Sequence, residues 1–237
     1  MKKRTIVLLS VLGAILLTAS IATPIVVTTV VKQKQKENEI RKLVKEYYNN
    51  KVESFKQENE ELKGKNVDVT FIGDSLTDLY DVKKYYPQYT VANRGIGGDT
   101  TTGVINRLDV SVYQIKPKVA TLLIGVNNIR TMLNDYEDIL KGFQTNIPDT
   151  KIVLLSLTSM TKDWGRNNKI ARDNNVKIKE YADKYNYTYV DLYNPLLDPN
   201  TNELRMEYTT DGGHFTDEGY VKITSVITPV LYSILGY

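Results

Sequence analysis

Apolar and polar residues follow two different rhythms along this chain. The first is a single uncharged run, Thr5 to Val31, behind the basic start Met1-Lys2-Lys3-Arg4. As a helix this run would be about 40 Å long, more than the ~30 Å hydrocarbon core of a bilayer. Ser20-Ile21-Ala22 resembles a small-residue cleavage site, which would make the segment a signal peptide. Apolar sequence continues through Pro24-Ile25-Val26-Val27 to Val31, longer than such a peptide needs, and this favours an uncleaved anchor. Basic residues at the extreme N-terminus keep that end cytoplasmic. Lys32, Lys34 and Lys36 on the other flank weaken this bias without reversing it. Residues 1–31 are thus expected to be a transmembrane anchor or signal segment. The rest of the chain would be extracytoplasmic, tethered by a single pass or secreted after cleavage.

Residues 32–65 are highly charged. Ile40, Leu43, Val44, Tyr47, Val52 and Phe55 recur there at roughly helical spacing. The pattern predicts an amphipathic helix, either a stalk or a segment lying against a globular domain. Gly64 is a plausible stop, and the domain boundary is placed at residues 65/66.

The second rhythm occupies residues 66–237. Short apolar runs of strand length alternate with helical faces. The strands are predicted at Val67–Ile72, Tyr89–Asn93, Lys118–Ile124, Lys151–Leu157 and Tyr187–Leu192. The runs at 118–124 and 151–157 are almost continuously apolar, as parallel strands covered on both faces are. Helices are predicted from Thr77 to Lys84, from Thr100 to Leu108, and on faces carrying Met132–Phe143, Ile170–Tyr185 and Val221–Ile234. Five βα units in this length predict a three-layer α/β domain.

Composition narrows the chemistry. The 237 residues include no cysteine and one histidine, His214, which excludes disulfides, thiolate metal sites and a His-rich zinc site. Residues 1–65 hold 13 Lys/Arg against 7 Asp/Glu, and the remaining 172 hold 18 against 21. The basic excess belongs to the N-terminal part, so it is no argument for nucleic-acid binding.

Four short segments remain. Gly73-Asp74-Ser75-Leu76 ends the first strand, where a serine hydroxyl would stand at the carboxyl edge of the sheet and at a helix N-terminus. A Ser at a tight turn has a plainer use as a helix cap. A serine nucleophile needs a base, usually a histidine held by a carboxylate. The one histidine lies in Asp211-Gly212-Gly213-His214, and an Asp three residues earlier can reach its Nδ1 across one turn. A tetrahedral intermediate also needs donors aimed at its oxygen. Asn93-Arg94-Gly95-Ile96-Gly97-Gly98-Asp99-Thr100 offers a glycine-rich backbone, and matches neither a P-loop nor a dinucleotide fingerprint. Gly125-Val126-Asn127-Asn128 offers an amide, although Asn also suits a helix cap.

Together these blocks resemble the SGNH, or GDSL, hydrolase family over about residues 66–237. Asn128 stands where the third block commonly has Asp; the combination GIGGDTT with G-x-N-N is similar to the platelet-activating-factor acetylhydrolase catalytic subunits. The resemblance implies a flavodoxin-like fold with a five-stranded parallel sheet. It implies ester hydrolysis through an acyl-enzyme without metal or other cofactor. It assigns Ser75 as nucleophile, His214 as base and Asp211 as its partner, with the Ser75 and Gly98 N–H groups and the Asn127 amide as oxyanion hole. Asp74 and Asp99 are read as loop-shaping. Arg94 is open between a substrate contact and a structural ion pair, and Trp164 is a candidate lining residue of the acyl pocket. The expected substrate is an acyl ester, either a lipid such as a lysophospholipid or an O-acetylated glycan. Two other functions stay open at this point, acyl transfer to a cell-surface glycan and a non-catalytic surface-binding module.

Overall fold

The structure, a computed structural model, describes the backbone of residues 2–236 and the side chains of residues 31–236. In chain order the elements are α1 (Lys2–Leu62), β1 (Val69–Gly73), α2 (Ser75–Asp78), α3 (Val82–Tyr85), β2 (Val91–Gly95), α4 (Thr101–Asn106), β3 (Val119–Leu123), α5 (Leu133–Asn146), β4 (Lys151–Leu155), α6 (Asn168–Tyr185), β5 (Thr188–Val190), α7 (Tyr193–Leu196), β6 (Leu197–Asp198), β7 (Glu203–Leu204) and α8 (Asp217–Leu235).

The chain divides into two compact units, residues 1–49 and 50–237. In the first, Ile40, Leu43 and Val44 are exposed. Among the described residues no helix is long and apolar enough to cross a membrane. The expected anchor, residues 1–31, has its side chains outside the described residues except at Val31. The second unit takes in the last turns of α1, where Phe55 and Asn59 are buried. Of the two roles open to the charged stretch, these turns take the second and lie against the domain.

That domain is a five-stranded, wholly parallel sheet in the order β2-β1-β3-β4-β5. Val69, Ile72, Val119, Leu122, Val153 and Leu154 are all buried, because helices cover both faces. One face packs on α4, α5 and α6 through Val104, Tyr136, Ile139, Phe143 and Ile178. The other packs on α2, α3, α7 and α8 through Leu76, Val82, Leu196, Ile223 and Ile227. A short antiparallel hairpin, β6–β7, was not legible in the apolar pattern, since each strand has only two residues. The helix expected over Thr77–Lys84 is two short helices, because Asp81 caps a new start at Lys84 N–H. The strands end level: Gly73 of β1 pairs with Gly95 of β2 and with Leu123 of β3. The loops after these three strands therefore leave the sheet side by side at its carboxyl edge, at the point where strand order reverses.

A buried cation fixes that edge. Arg107 is 2% exposed. Its Nε donates to Asp99 Oδ2 at 2.8 Å, Nη1 to the Arg94 carbonyl at 2.8 Å and to Ser111 Oγ at 2.9 Å, and Nη2 to the Gly73 carbonyl at 2.9 Å. One planar guanidinium so ties the ends of β1 and β2 to the loop after β2. Burial pushes the Asp99 carboxyl up from its ordinary value, and the charge of Arg107 opposes that rise. Replacing Arg107 by Met would leave the buried Asp99 carboxyl without its cation and would remove four donated hydrogen bonds. The expected loss is about 3–5 kcal/mol of stability, read as a lowered urea midpoint. The double variant with Asp99→Asn should recover part of it, and a wild-type midpoint in the single variant would show that the clamp holds nothing.

Candidate active site

Gly73 closes β1 because nothing larger fits. A Cβ there would stand 2.1 Å from Thr77 Oγ1 and 2.4 Å from the Leu123 carbonyl. The chain turns at once into α2, whose N-cap is Asp74; its side chain accepts the Leu76 N–H at 3.1 Å. Burial pushes the Asp74 carboxyl up to about 7, against the pull of that N–H. Asp74 therefore shapes the turn. Ser75 is the first residue of α2, a position whose N–H has no intrahelical partner.

The structure brings Ser75 and His214 together. Ser75 Oγ lies 2.9 Å from His214 Nε2, across 139 positions of sequence. His214 Nδ1 lies 2.6 Å from Asp211 Oδ2. The other oxygen of that carboxylate accepts the backbone N–H groups of His214 at 2.8 Å and Gly213 at 3.0 Å. Burial pushes the Asp211 carboxyl up, but the ring and the two N–H groups outweigh it and bring it down to about 2. The carboxylate is thus charged throughout the physiological range and can hold Nδ1 protonated, leaving Nε2 as the acceptor for the Ser75 hydroxyl.

Local contacts hold the histidine loop in place. Gly212 has φ +99 and its carbonyl accepts the Thr161 N–H at 2.8 Å. The His214 carbonyl accepts from Thr209 Oγ1 at 2.8 Å. Downstream, Tyr220 of α8 donates its hydroxyl to the Leu76 carbonyl at 3.0 Å and stacks on Tyr80 at 5.0 Å. The element after the histidine is thereby fastened to the element that carries the serine.

Gly98 and Asn127 flank the same edge. Gly98 has φ +78, a conformation that L side chains rarely adopt, and its N–H donates to no group among the described residues. Asn127 donates one N–H to the Asp99 carbonyl at 2.9 Å, which orients the amide and leaves its second N–H available. Asn128 makes a different use of its amide, donating to Thr101 Oγ1 at 2.8 Å and tying the third loop to α4.

The structure places two residues whose roles the sequence left open. Arg94 makes the structural ion pair and not a substrate contact. It is fully buried, paired with Glu58, donates to Asn59 Oδ1 at 2.8 Å, and lies over the Phe55 ring of α1. Trp164 sits against the imidazole, edge to face at 5.6 Å, and is not among the residues lining the nearby cavity. Gly213 gives it room, since a Cβ there would fall 2.0 Å from the indole. The cavity itself, about 410 Å³, opens beside Asn127. Its lining and the Arg107 clamp were missed at the level of sequence. Arg107 caps the carboxyl end of α4, directly before the buried Leu108, and a lone arginine beside an apolar position was the available signal.

The GDSL-like lipase/acylhydrolase family model matches residues 71–222. A solved structure from Streptococcus pneumonia, provisionally described as a platelet activating factor, has a TM-score of 0.71 and 26% identity, covering 81% of this chain and 98% of that one. An acetylxylan esterase from Geobacillus stearothermophilus shares the fold at a TM-score of 0.58 and 18% identity, covering 70% of this chain and 94% of that one. Among curated proteins, the N-acylneuraminate cytidylyltransferase of Escherichia coli is 28% identical over 180 residues, 69% of this chain. The match spans only 40% of that relative's length. With the family model covering well over half of the sequence, and the fold and the four blocks in place, the chain belongs to the GDSL-like lipase/acylhydrolase family, whose SGNH-type members are carboxylic ester hydrolases.

Proposed function

We propose that the protein is a serine esterase that cleaves carboxylic esters through an acyl-enzyme. The observation that carries this is the continuous relay from Ser75 Oγ through His214 to Asp211, at 2.9 and 2.6 Å. Ser75 attacks the ester carbonyl while His214 Nε2 takes its proton. The resulting imidazolium is stabilised by Asp211. The negative oxygen is met by the N–H groups of Ser75 and Gly98 and by the Asn127 amide, each such donor being worth about 3 kcal/mol. Collapse expels the alcohol, which receives the proton from His214. Water then repeats the sequence on the acyl-enzyme and releases the acid.

Among esters, an O-acetylated glycan is the better supported substrate and a lysophospholipid the lesser. The cavity beside Asn127 is lined mostly by amides, a hydroxyl and arginines, which suit sugar hydroxyls and offer no track for an alkyl chain. The acetylxylan esterase that shares the fold acts on such a glycan. The uncharged run Thr5–Val31 behind a basic start supports a membrane-tethered, extracytoplasmic enzyme. Its charged continuation would hold the domain near the cell surface.

Two outcomes are expected. Ser75→Ala should lower hydrolysis of p-nitrophenyl acetate by about ten-thousand-fold or more, with the thermal midpoint nearly unchanged; near-wild-type turnover would remove Ser75 from the nucleophile role. Asp211 is held down at about 2, so its carboxylate should add no step of its own to the pH profile of kcat/KM across the physiological range. A step in that range that disappears in Asp211→Asn would contradict this assignment.

A further inference from the structure

Four arginines lie at or near the carboxyl edge, and they fall into two kinds. Arg94 and Arg107 are buried and paired, with Glu58 and Asp99. Arg130 and Arg166 line the cavity of about 410 Å³ beside Asn127, and neither is in an ion pair among the described residues. The lining has no acidic side chain. Two cations in one concave wall, with no acidic side chain in the lining, create a positive field beside the Asn127 amide.

Arg166 is also held in place. Its Nε donates to the Val126 carbonyl at 3.2 Å, and its guanidinium lies 5.3 Å over the Trp164 ring. Trp164 in turn packs on His214. The plane of the guanidinium is set by these contacts, while neither Nη group donates to any acceptor among the described residues. Such a fork matches the two oxygens of a carboxylate. The remaining polar lining is Asn127, Asn128, Thr131 and Asn167, which carry donors and acceptors for hydroxyls, whereas only Ile129 and Ile170 are apolar.

The geometry points to a subsite for an acidic sugar: the ester substrate carries a carboxylate that Arg166 grips, with Arg130 adding to the field and the amides reading the ring hydroxyls. This deepens the esterase reading and rests on it for the reaction, but not for the binding. A lysophospholipid phosphate shares the anionic chemistry, yet its chain would find little apolar surface here.

The protein supplies its own reporter, because Trp164 is the sole tryptophan. Titrating the full chain with trigalacturonate should change its fluorescence saturably. A neutral xylotriose should bind at least about tenfold more weakly, and Arg166→Gln should weaken trigalacturonate binding by about tenfold or more. Arg166→Lys, which keeps the charge and loses the fork, should fall between. Equal binding of the acidic and neutral sugars, or an unchanged constant in Arg166→Gln, would overturn the inference. So would tighter binding of lysophosphatidylglycerol than of trigalacturonate, which would hand the cations to a lipid headgroup. Hydrolysis of p-nitrophenyl acetate by the same preparation tests the esterase reading separately, and its absence would leave the binding result standing.

Discussion

One buried guanidinium holds the working edge of this domain in register. Taking a cation out of water costs several kcal/mol unless its donors are satisfied, and Arg107 satisfies its own by joining parts that would otherwise be independent. It reaches the last carbonyl of β1, a carbonyl in β2, and the carboxylate in the loop after β2. The turn that presents Ser75 starts at the first of these, and the loop that presents Gly98 ends at the third. The distance between the Ser75 hydroxyl and the Gly98 N–H is therefore set by a rigid planar group and not by the flexibility of two loops. Asn127 is drawn in by the same loop, through the Asp99 carbonyl.

The histidine arrives from the other end of the chain, and parallel topology explains why it can. Each βα unit returns the chain to the same edge, so the sequence distance between Ser75 and His214 is crossed in whole units. The final approach is fastened twice, by Tyr220 donating to the Leu76 carbonyl and by Thr161 N–H donating to the Gly212 carbonyl. The bare glycines at 212 and 213 let the indole of Trp164 close over the loop. The approach of His214 to Ser75 is a consequence of packing on both sides of the imidazole, with α8 on one side and the loop after β4 on the other.

Much of this was legible in the sequence. The two-faced apolar runs marked the strands within a few residues, because burial on both faces forces continuous hydrophobicity. The Ser75, His214 and Asp211 juxtaposition was legible because a single histidine leaves no alternative base. What stayed hidden has a common cause. Arg94, Arg107 and Arg166 are the same residue type, and only tertiary contacts separate a buried ion pair, a backbone clamp and a cavity cation. Helix breaks at Asp81 and the two-residue strands of β6–β7 were hidden for a different reason, being capping and turn effects too short to impose a period. The stripe on α1 read as continuous from Ile40 to Phe55, yet only its last part is buried, since amphipathic spacing does not say how far a partner surface extends.

The account stands on which ring nitrogen of His214 carries the proton, and the sole histidine makes that directly observable. In a sample with 15N-labelled histidine, one ring gives the whole signal. At neutral pH the neutral ring is predicted to carry its proton on Nδ1, with a strongly downfield Nδ1–H resonance that moves upfield in Asp211→Asn, and with Nε2 bare to accept from Ser75. A neutral ring protonated on Nε2, insensitive to Asp211, would leave the serine without a base and contradict the mechanism at its root.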